Sequence, residues 1–220
     1  SWLSLWLTEL GANVIGYSLK PPTEPNLFEA LRLDKKIIHI IGDVRNEEKL
    51  FSVFEKYKPE IVFHLAAQAL VKKSYNEPID TFDTNVMGAV NLLDAVRQCD
   101  SVRSLVFITS DKCYENREWH WGYRENEAMG GHDPYSSSKG CAELVAAAYR
   151  RSFFSSSSDD GQNHPICLAT VRAGNVICGG DWAKDRLVPD LMQAFLEKRK
   201  VVIRYPNAIR PWQHVLEPLA

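Results

Sequence analysis

Short, uninterrupted apolar runs alternate along this chain with segments of helical spacing, and few architectures accept that alternation. The runs are Asn13–Tyr17, Lys36–Ile41, Ile61–Leu65, Ser104–Thr109 and Ile166–Arg172, with a shorter one at Val201–Ile203. Continuous rather than alternating hydrophobicity predicts parallel strands covered on both faces. Between them, residues 1–10 have helical spacing and stop at Gly11, a suitable C-cap. Residues 46–57 put Leu50, Val53, Phe54 and Tyr57 on one helical face. A long helix is predicted over residues 81–99, with Val86, Val90, Leu93 and either Ala95 or Val96 inward. Further helices are predicted over Tyr135–Phe153 and from Asp185 or Arg186 to Lys198. Three prolines make Lys20–Pro25 a loop, residues 113–134 show little periodicity, and Ser155–Asn163 reads as a mobile surface loop. The expectation is an α/β fold on a doubly wound parallel sheet, whose ligands bind beyond the carboxyl ends of the strands. Tyr17, Asp43, Ala66, Thr109 and Arg172 stand at those ends.

A chain of 220 residues can bury roughly 70% of the surface it exposes when unfolded. Its core therefore needs no disulfide or metal. The five cysteines are odd in number and no two have C-x-x-C spacing, which fits reduced thiols in a cytoplasmic protein. His120, His132 and His164 show no metal-ligand pattern. With 26 basic and 28 acidic residues, net charge −2, there is no electrostatic case for nucleic acid or an anionic membrane. No apolar run approaches the ~20 residues of a membrane span. Ser1–Leu7 is apolar but lacks a basic leader and a cleavage site, so it reads as the inner face of a helix.

The chemistry concentrates at Tyr135-Ser136-Ser137-Ser138-Lys139. Residues i and i+4 share a helix face. A lysine ammonium beside a phenol favours the phenolate, and a phenol so disposed can take the proton from a sugar hydroxyl while hydride leaves the same carbon. Thr109-Ser110 closes an earlier strand with hydroxyls that can meet the substrate oxygen. His64-Leu65-Ala66-Ala67-Gln68 closes another with small residues that let a cofactor backbone approach.

Strand-end Asp43, the His64–Ala67 stretch, Asn85, Thr109 and the Tyr135/Lys139 pair together resemble the extended short-chain dehydrogenase/reductase family. That resemblance implies a Rossmann-like sheet, bound NAD and a sugar-nucleotide substrate. It sharpens at Thr109–Asn116, Trp121–Glu125, Arg172–Val176, Gly179–Trp182 and Arg210–Val215, and runs nearly end to end. Within the family, the pair Asp111-Lys112 is similar to the 4,6-dehydratases that act on CDP-glucose, where dTDP- and GDP-sugar enzymes carry acidic residues. The implied cycle oxidises C4, eliminates water across C5 and C6, and returns hydride to C6. Tyr135 is then the base at the 4-hydroxyl, Lys139 supports the phenolate and the cofactor ribose, and Thr109 orients the hydroxyl. Asp111 protonates the departing 6-hydroxyl and Lys112 takes the C5 proton. An ordinary lysine is protonated near neutral pH, so that role needs burial or a neighbouring cation such as Lys139. The alternative is that Lys112 pairs with Asp111 or stabilises an enolate. Epimerases and decarboxylases on this scaffold need Tyr135 and Lys139 without the Asp111-Lys112 pair; a non-catalytic dinucleotide-binding protein is a further alternative.

The resemblance also implies that Asp43 and Val44, with Leu65, Ala66 and Ala67, line the cofactor, Asp43 meeting the adenine. A helix N-cap near Asn46 is the alternative for Asp43. Asn175, Arg186 and Arg210 are expected at the substrate, Arg210 as a diphosphate clamp; a turn asparagine and solvated charges are their alternatives. Trp182 and Trp212 either stack on the nucleotide or fill the core. The second strand runs into Tyr17-Ser18-Leu19-Lys20 with no acid for a ribose 2′-hydroxyl. Ser18 could reach that ribose and Lys20 could accept a 2′-phosphate, so NAD rests on the self-regenerating cycle. By the resemblance, Ser1-Trp2 directly follows the last glycine of a Gly-rich loop. The expectation is thus a fragment lacking the first strand and the C-terminal region: residues 1–171 an NAD-binding domain, residues 172–220 part of a smaller sugar-nucleotide region. A gap is expected between the strands near residues 14 and 62, and their exposed edges predict an unstable, inactive chain in isolation. The helices near 81–99 and 135–153 imply a homodimer or higher homo-oligomer through a four-helix bundle.

Overall fold

The computed structural model describes residues 1–155 and 165–220, so the surface loop expected at Ser155–Asn163 lies, beyond Ser155, outside the described residues, as does His164. The described residues form two compact units: Gly42–Ala173, and the segments Ser1–Ile41 with Gly174–Ala220.

In the two-segment unit, helix α1 (Trp2–Glu9) ends where the sequence predicts. Gly11 takes φ 86°, its N–H donates to the Thr8 carbonyl, and the N–H of Ala12 reaches back to Leu7. This is the Schellman arrangement, which needs a left-handed residue and so favours glycine. Strands β1 (Ile15–Ser18) and β2 (Ile38–Ile41) pair in parallel, joined through α2 (Leu27–Ala30) and a 3₁₀ turn at Leu33–Lys35.

The larger unit carries a three-stranded parallel sheet in the order β3 (Ile61–His64), β4 (Ser104–Ile108), β5 (Cys167–Val171). Helix α3 (Glu47–Tyr57) precedes it, capped by Asn46, whose side chain accepts the Lys49 N–H. The crossover from β3 to β4 holds α4 (Val71–Asn76), α5 (Pro78–Phe82), a π-helical turn at Asp83–Met87, and α6 (Gly88–Arg97). The long helix thus begins at Pro78, three residues before the expected start. In the π turn, the Gly88 N–H reaches back five residues to Asp83, which rotates the face beyond it. Ala89, Leu92, Leu93, Ala95 and Val96 are buried, whereas the expected Val86 and Val90 are only half-buried. Helix α7 (Pro134–Ser152) covers the sheet on its return to β5.

The core of the larger unit includes Leu105 and Phe107 of β4, both fully buried, with Leu92, Leu93 and Val96 of α6 and Ala142 and Ala146 of α7 also buried. Each such Leu or Phe stabilises the fold by about 1.5–3 kcal/mol. Coverage of both faces is incomplete along the edges: Ile38, Ile41 and Ile61 remain exposed. β1 and β3 belong to different ladders.

The chain ends with β6 (Asn175–Ile177), α8 (Leu187–Leu196), β7 (Trp212–His214) and α9 (Leu216–Leu219), with β6 and β7 paired in parallel. The strand expected at Val201–Ile203 does not form. That segment has no regular secondary structure and Val202 is 81% exposed, because no strand among the described residues pairs with it. Among the described residues, no helix is long and apolar enough to cross a membrane.

Candidate active site

Three strands running in parallel deliver their carboxyl ends to one edge of the sheet. Leu65–Gln68 follows β3, Thr109–Lys112 follows β4, and Arg172 follows β5. Beyond β4 the pairing continues, the Thr109 N–H donating to Val171 at 2.8 Å and the Asp111 N–H to Ala173 at 3.1 Å. Asp111, Lys112 and Cys113 form a 3₁₀ turn capped by the Ser110 hydroxyl, which accepts the Lys112 N–H. Asp111 and Lys112 are half-buried, and the Ser110 Oγ lies 3.1 Å from the Asp111 carboxylate.

The turn packs on α7, whose start is written in the local sequence. Asp133 caps it by accepting the Ser136 N–H at 2.9 Å and the Ser136 hydroxyl at 2.6 Å, and Pro134 occupies the first turn. Tyr135 and Lys139 therefore stand one turn apart on the same face. Gly140 lets the backbones meet: a Cβ there would lie 3.4 Å from the Cys113 carbonyl. Lys139 is 6% exposed and donates to the Ile108 carbonyl at the end of β4 at 3.2 Å. Burial lowers its pKa to about 8 against the opposing pull of Glu143 and Cys113. Among the described residues, that one hydrogen bond is recorded for an ammonium with three donors.

Thr109 is buried, and its hydroxyl donates to Glu143 of α7. Glu143 also holds Arg172 in a two-pronged ion pair, Nε–Oε1 2.8 Å and NH2–Oε2 3.0 Å. Neither Glu143 nor the Arg172 partnership is among the sequence-based candidates. The signal was present, because Glu143 continues the spacing of Tyr135 and Lys139 by one more turn.

Asn85 sits in the π turn, 3% exposed, and joins three segments. Its carbonyl accepts the Gln68 N–H at 2.7 Å, and its amide donates to the Gln68 carbonyl and the Ser138 hydroxyl. The turn after β3 is thereby fixed to α7, with Ala66 and Ala67 half-buried and Leu65 exposed. Asp43, with Val44 buried behind it, binds Arg45 through its backbone N–H, Nε and NH2, the last at 2.6 Å. Those bonds from Arg45 hold the Asp43 carboxyl below its ordinary value. Arg45 also reaches Asp80 at 2.8 Å. The capping alternative for Asp43 falls to Asn46 instead.

The larger unit thus contains Asp43, Val44, Leu65, Ala66, Ala67, Thr109, Asp111, Lys112, Tyr135 and Lys139 together. Asn175, Arg186 and Arg210 belong to the other unit. There Asn175 opens β6 with its N–H on Pro211, Arg186 pairs with Asp181 at 3.0 Å, and Arg210 is exposed with a bond to the neighbouring Ile209 carbonyl. Ser18 lies 2.9 Å from His39. Trp182 and Trp212 are each 42% exposed, so neither fills a core. No cluster of three or more metal-ligating side chains occurs among the described residues.

His64, at the end of β3, is buried against Phe107 at 4.6 Å between ring centroids. Burial, then the charge of Lys139, pushes its pKa from 6.5 down to about 3. Between those values the unfolded chain binds the extra proton, so stability is full above 6.5 and declines as pH falls toward 3. His64→Phe is expected to flatten that decline in urea midpoints measured across the window. An unchanged slope would place the acid sensitivity elsewhere.

Comparison with known proteins follows the same lines. The family model for GDP-mannose 4,6 dehydratase matches residues 1–159. A CDP-glucose 4,6-dehydratase of Salmonella typhimurium is 61% identical over all 220 residues, which span 61% of that relative's length. A CDP-paratose 2-epimerase of Salmonella typhi is 33% identical over 127 residues, 51% of this chain and 38% of the relative. Among solved structures, a UDP-glucose 4-epimerase of Thermotoga maritima superposes with TM-score 0.85 at 21% identity, over 99% of this chain and 66% of that one. A dTDP-glucose 4,6-dehydratase of Streptomyces venezuelae, crystallised with NAD, superposes with TM-score 0.83 at 19% identity, over 98% of this chain and 65% of that one. These likenesses establish the shared Rossmann-type fold.

Proposed function

This chain belongs to the GDP-mannose 4,6-dehydratase family, and from that premise we propose that the protein is an NAD-dependent 4,6-dehydratase acting on CDP-glucose. The observation that carries the reaction type is the packing of the Asp111–Cys113 turn on α7, the helix that carries Tyr135 and the buried Lys139. The relative that is 61% identical supports cytidine as the base.

Residues present suit NAD. The buried Lys139 ammonium has donors to spare for ribose hydroxyls, Ala66 and Ala67 leave room at the end of β3, and Asp43 offers a carboxylate for the adenine amine. When bound there, NAD would supply the hydride acceptor for C4 of the glucose and the hydride donor for C6. Tyr135 takes the proton of the 4-hydroxyl, and Lys139 stabilises the resulting phenolate. Thr109 donates its hydroxyl hydrogen to a bond with Glu143, so toward the substrate its oxygen is an acceptor that orients the 4-hydroxyl. Lys112 removes the C5 proton, made acidic by the 4-ketone, and Asp111 protonates the departing 6-hydroxyl. The products are CDP-4-keto-6-deoxy-glucose and water.

Asn175, Arg186 and Arg210 bind the sugar nucleotide in this reading, residues 172–220 contributing to its site and residues 1–171 to that of NAD. The protein works in the cytoplasm as a homo-oligomer. Exposed Ile79 and Met87 on the α5–α6 segment and Leu144 on α7 supply apolar surface for a partner copy.

The test is mass analysis of the protein at its full natural length, incubated with NAD and a mixture of CDP-, UDP-, dTDP- and GDP-sugars. Loss of one water from CDP-glucose alone is expected. Loss from another nucleotide would keep the mechanism and discard the substrate. Isomerised sugars without water loss would move the assignment to an epimerase, and no change in any sugar, with NAD bound, to a dinucleotide-binding protein.

A further inference from the structure

We propose that Glu143 and Arg172 are a positioning pair that sets the geometry and charge of the Tyr135–Lys139–Asp111 site; the inference rests on the dehydratase reading of that site. The pair is enclosed, its side chains 3% and 13% exposed. Each arm ends on a segment that carries a proposed catalytic group. Glu143 accepts a hydrogen bond from the Thr109 hydroxyl at the end of β4. Arg172 donates through NH1 to the Tyr114 hydroxyl at 2.8 Å, directly after the Asp111–Cys113 turn, and to the Glu125 carbonyl at 2.8 Å.

The guanidinium also lies over the Tyr114 ring at 4.8 Å. Tyr114 stacks on Tyr123 at 5.0 Å, Tyr123 meets Trp119 at 5.5 Å, and Arg117 covers Trp119 at 5.2 Å. An otherwise irregular, aromatic segment is thereby fastened to the buried carboxylate. A planar fork gripping a carboxylate fixes direction as well as distance. Exchanging a buried ion pair for apolar side chains of similar volume is often neutral or stabilising, so stability alone gives this site no reason to be ionic.

The charge bears on Lys139 one helical turn away. Glu143 and Cys113 oppose the effect of burial on the ammonium, and His64 faces it from β3 in its neutral form. Burial disfavours ionisation of Glu143 itself, but the bonds from Arg172 and Thr109 outweigh it and keep the carboxyl below its ordinary value. The carboxylate is therefore anionic wherever the enzyme would work.

Three variants of the full-length protein separate positioning from plain structural support. Glu143→Gln is expected to lower the melting temperature, to lower kcat by about 10–100-fold through misplacement of the reacting groups, and to bring the Lys139 pKa, followed by nitrogen NMR of its ammonium, below its present value. Arg172→Met alone leaves the carboxylate unpaired and shifts Lys139 the opposite way. The double variant Glu143→Leu/Arg172→Met should regain the melting temperature, yet keep the low kcat and the lowered Lys139 pKa, with KM for CDP-glucose within about twofold because only uniform binding is spared. Recovery of kcat together with the melting temperature would make the pair merely structural and overturn the proposal. So would a Lys139 titration unmoved by Glu143→Gln, and that readout needs no turnover. Wild-type protein that dehydrates no sugar nucleotide would instead defeat the dehydratase reading.

Discussion

Replacing Tyr135 with phenylalanine is expected to lower kcat for CDP-glucose dehydration by about 10³-fold and to leave the fold intact. The two halves of that expectation have separate physical origins. The start of α7 is fixed by the Asp133 cap and by Pro134. The ring that phenylalanine preserves keeps the packing of a half-buried position. What disappears is the acceptor for the 4-hydroxyl proton. Lys139 is a cation with its own bond to Ile108, and the Thr109 hydroxyl is engaged by Glu143. The measurement is kcat by product mass, beside a melting curve for each protein. Activity retained within tenfold would show that another group takes the proton. Wild-type activity should also fall as pH rises through about 8, where burial leaves Lys139 neutral and the phenolate loses its counter-charge.

The features legible in the sequence are those specified by a few adjacent residues. The stop at Gly11, the Asp133-Pro134 start and the Tyr135/Lys139 spacing are of this kind, and each stands where local chemistry puts it. The apolar runs at β2, β3, β4 and β5 announced strands, although only β4 buries large apolar side chains fully while Ile38, Ile41 and Ile61 stay exposed. The inward face of α6 was only partly legible: Leu93, Ala95 and Val96 are buried as expected, Val86 and Val90 are not. Its direction depends on one extra residue in the π turn around Asn85, and that turn answers to Gln68 and Ser138 rather than to periodicity. β6 and β7 are three residues each, too short for any pattern. Val201–Ile203 has the composition of a strand without a strand to pair with. Asp43 and Asn46 are chemically alike as caps, and only the backbone path decides that Asn46 caps while Asp43 binds Arg45. At the site, Arg172 was marked as a strand end, but its partner was not. Glu143 lies 29 residues earlier, and nothing local to either residue says that they meet. The carbonyl, hydroxyls and ring they gather come from Thr109, Tyr114 and Glu125.

The division of labour between Asp111 and Lys112 makes the second large prediction, because elimination can be split into its two proton transfers. In deuterated solvent, loss and return of the C5 proton exchanges it for deuterium whether or not the 6-hydroxyl leaves. Lys112→Met removes the base, so both exchange and water loss should fall, by about 10²–10⁴-fold. Asp111→Asn keeps the shape of the side chain and removes the acidic proton. Exchange at C5 should then continue while water loss falls by a comparable factor, about 10²–10⁴. Both residues sit on a turn held by the Ser110 cap and by backbone bonds to Ala173 and Gly130, so neither substitution should displace it. The alternative, in which Lys112 pairs with Asp111 or steadies an enolate, predicts another outcome. A separate base would go on exchanging C5 in the methionine variant, and Lys112 would be reassigned. Exchange lost with Lys112 and kept without the Asp111 acid is the pattern that only the proposed pair of roles produces.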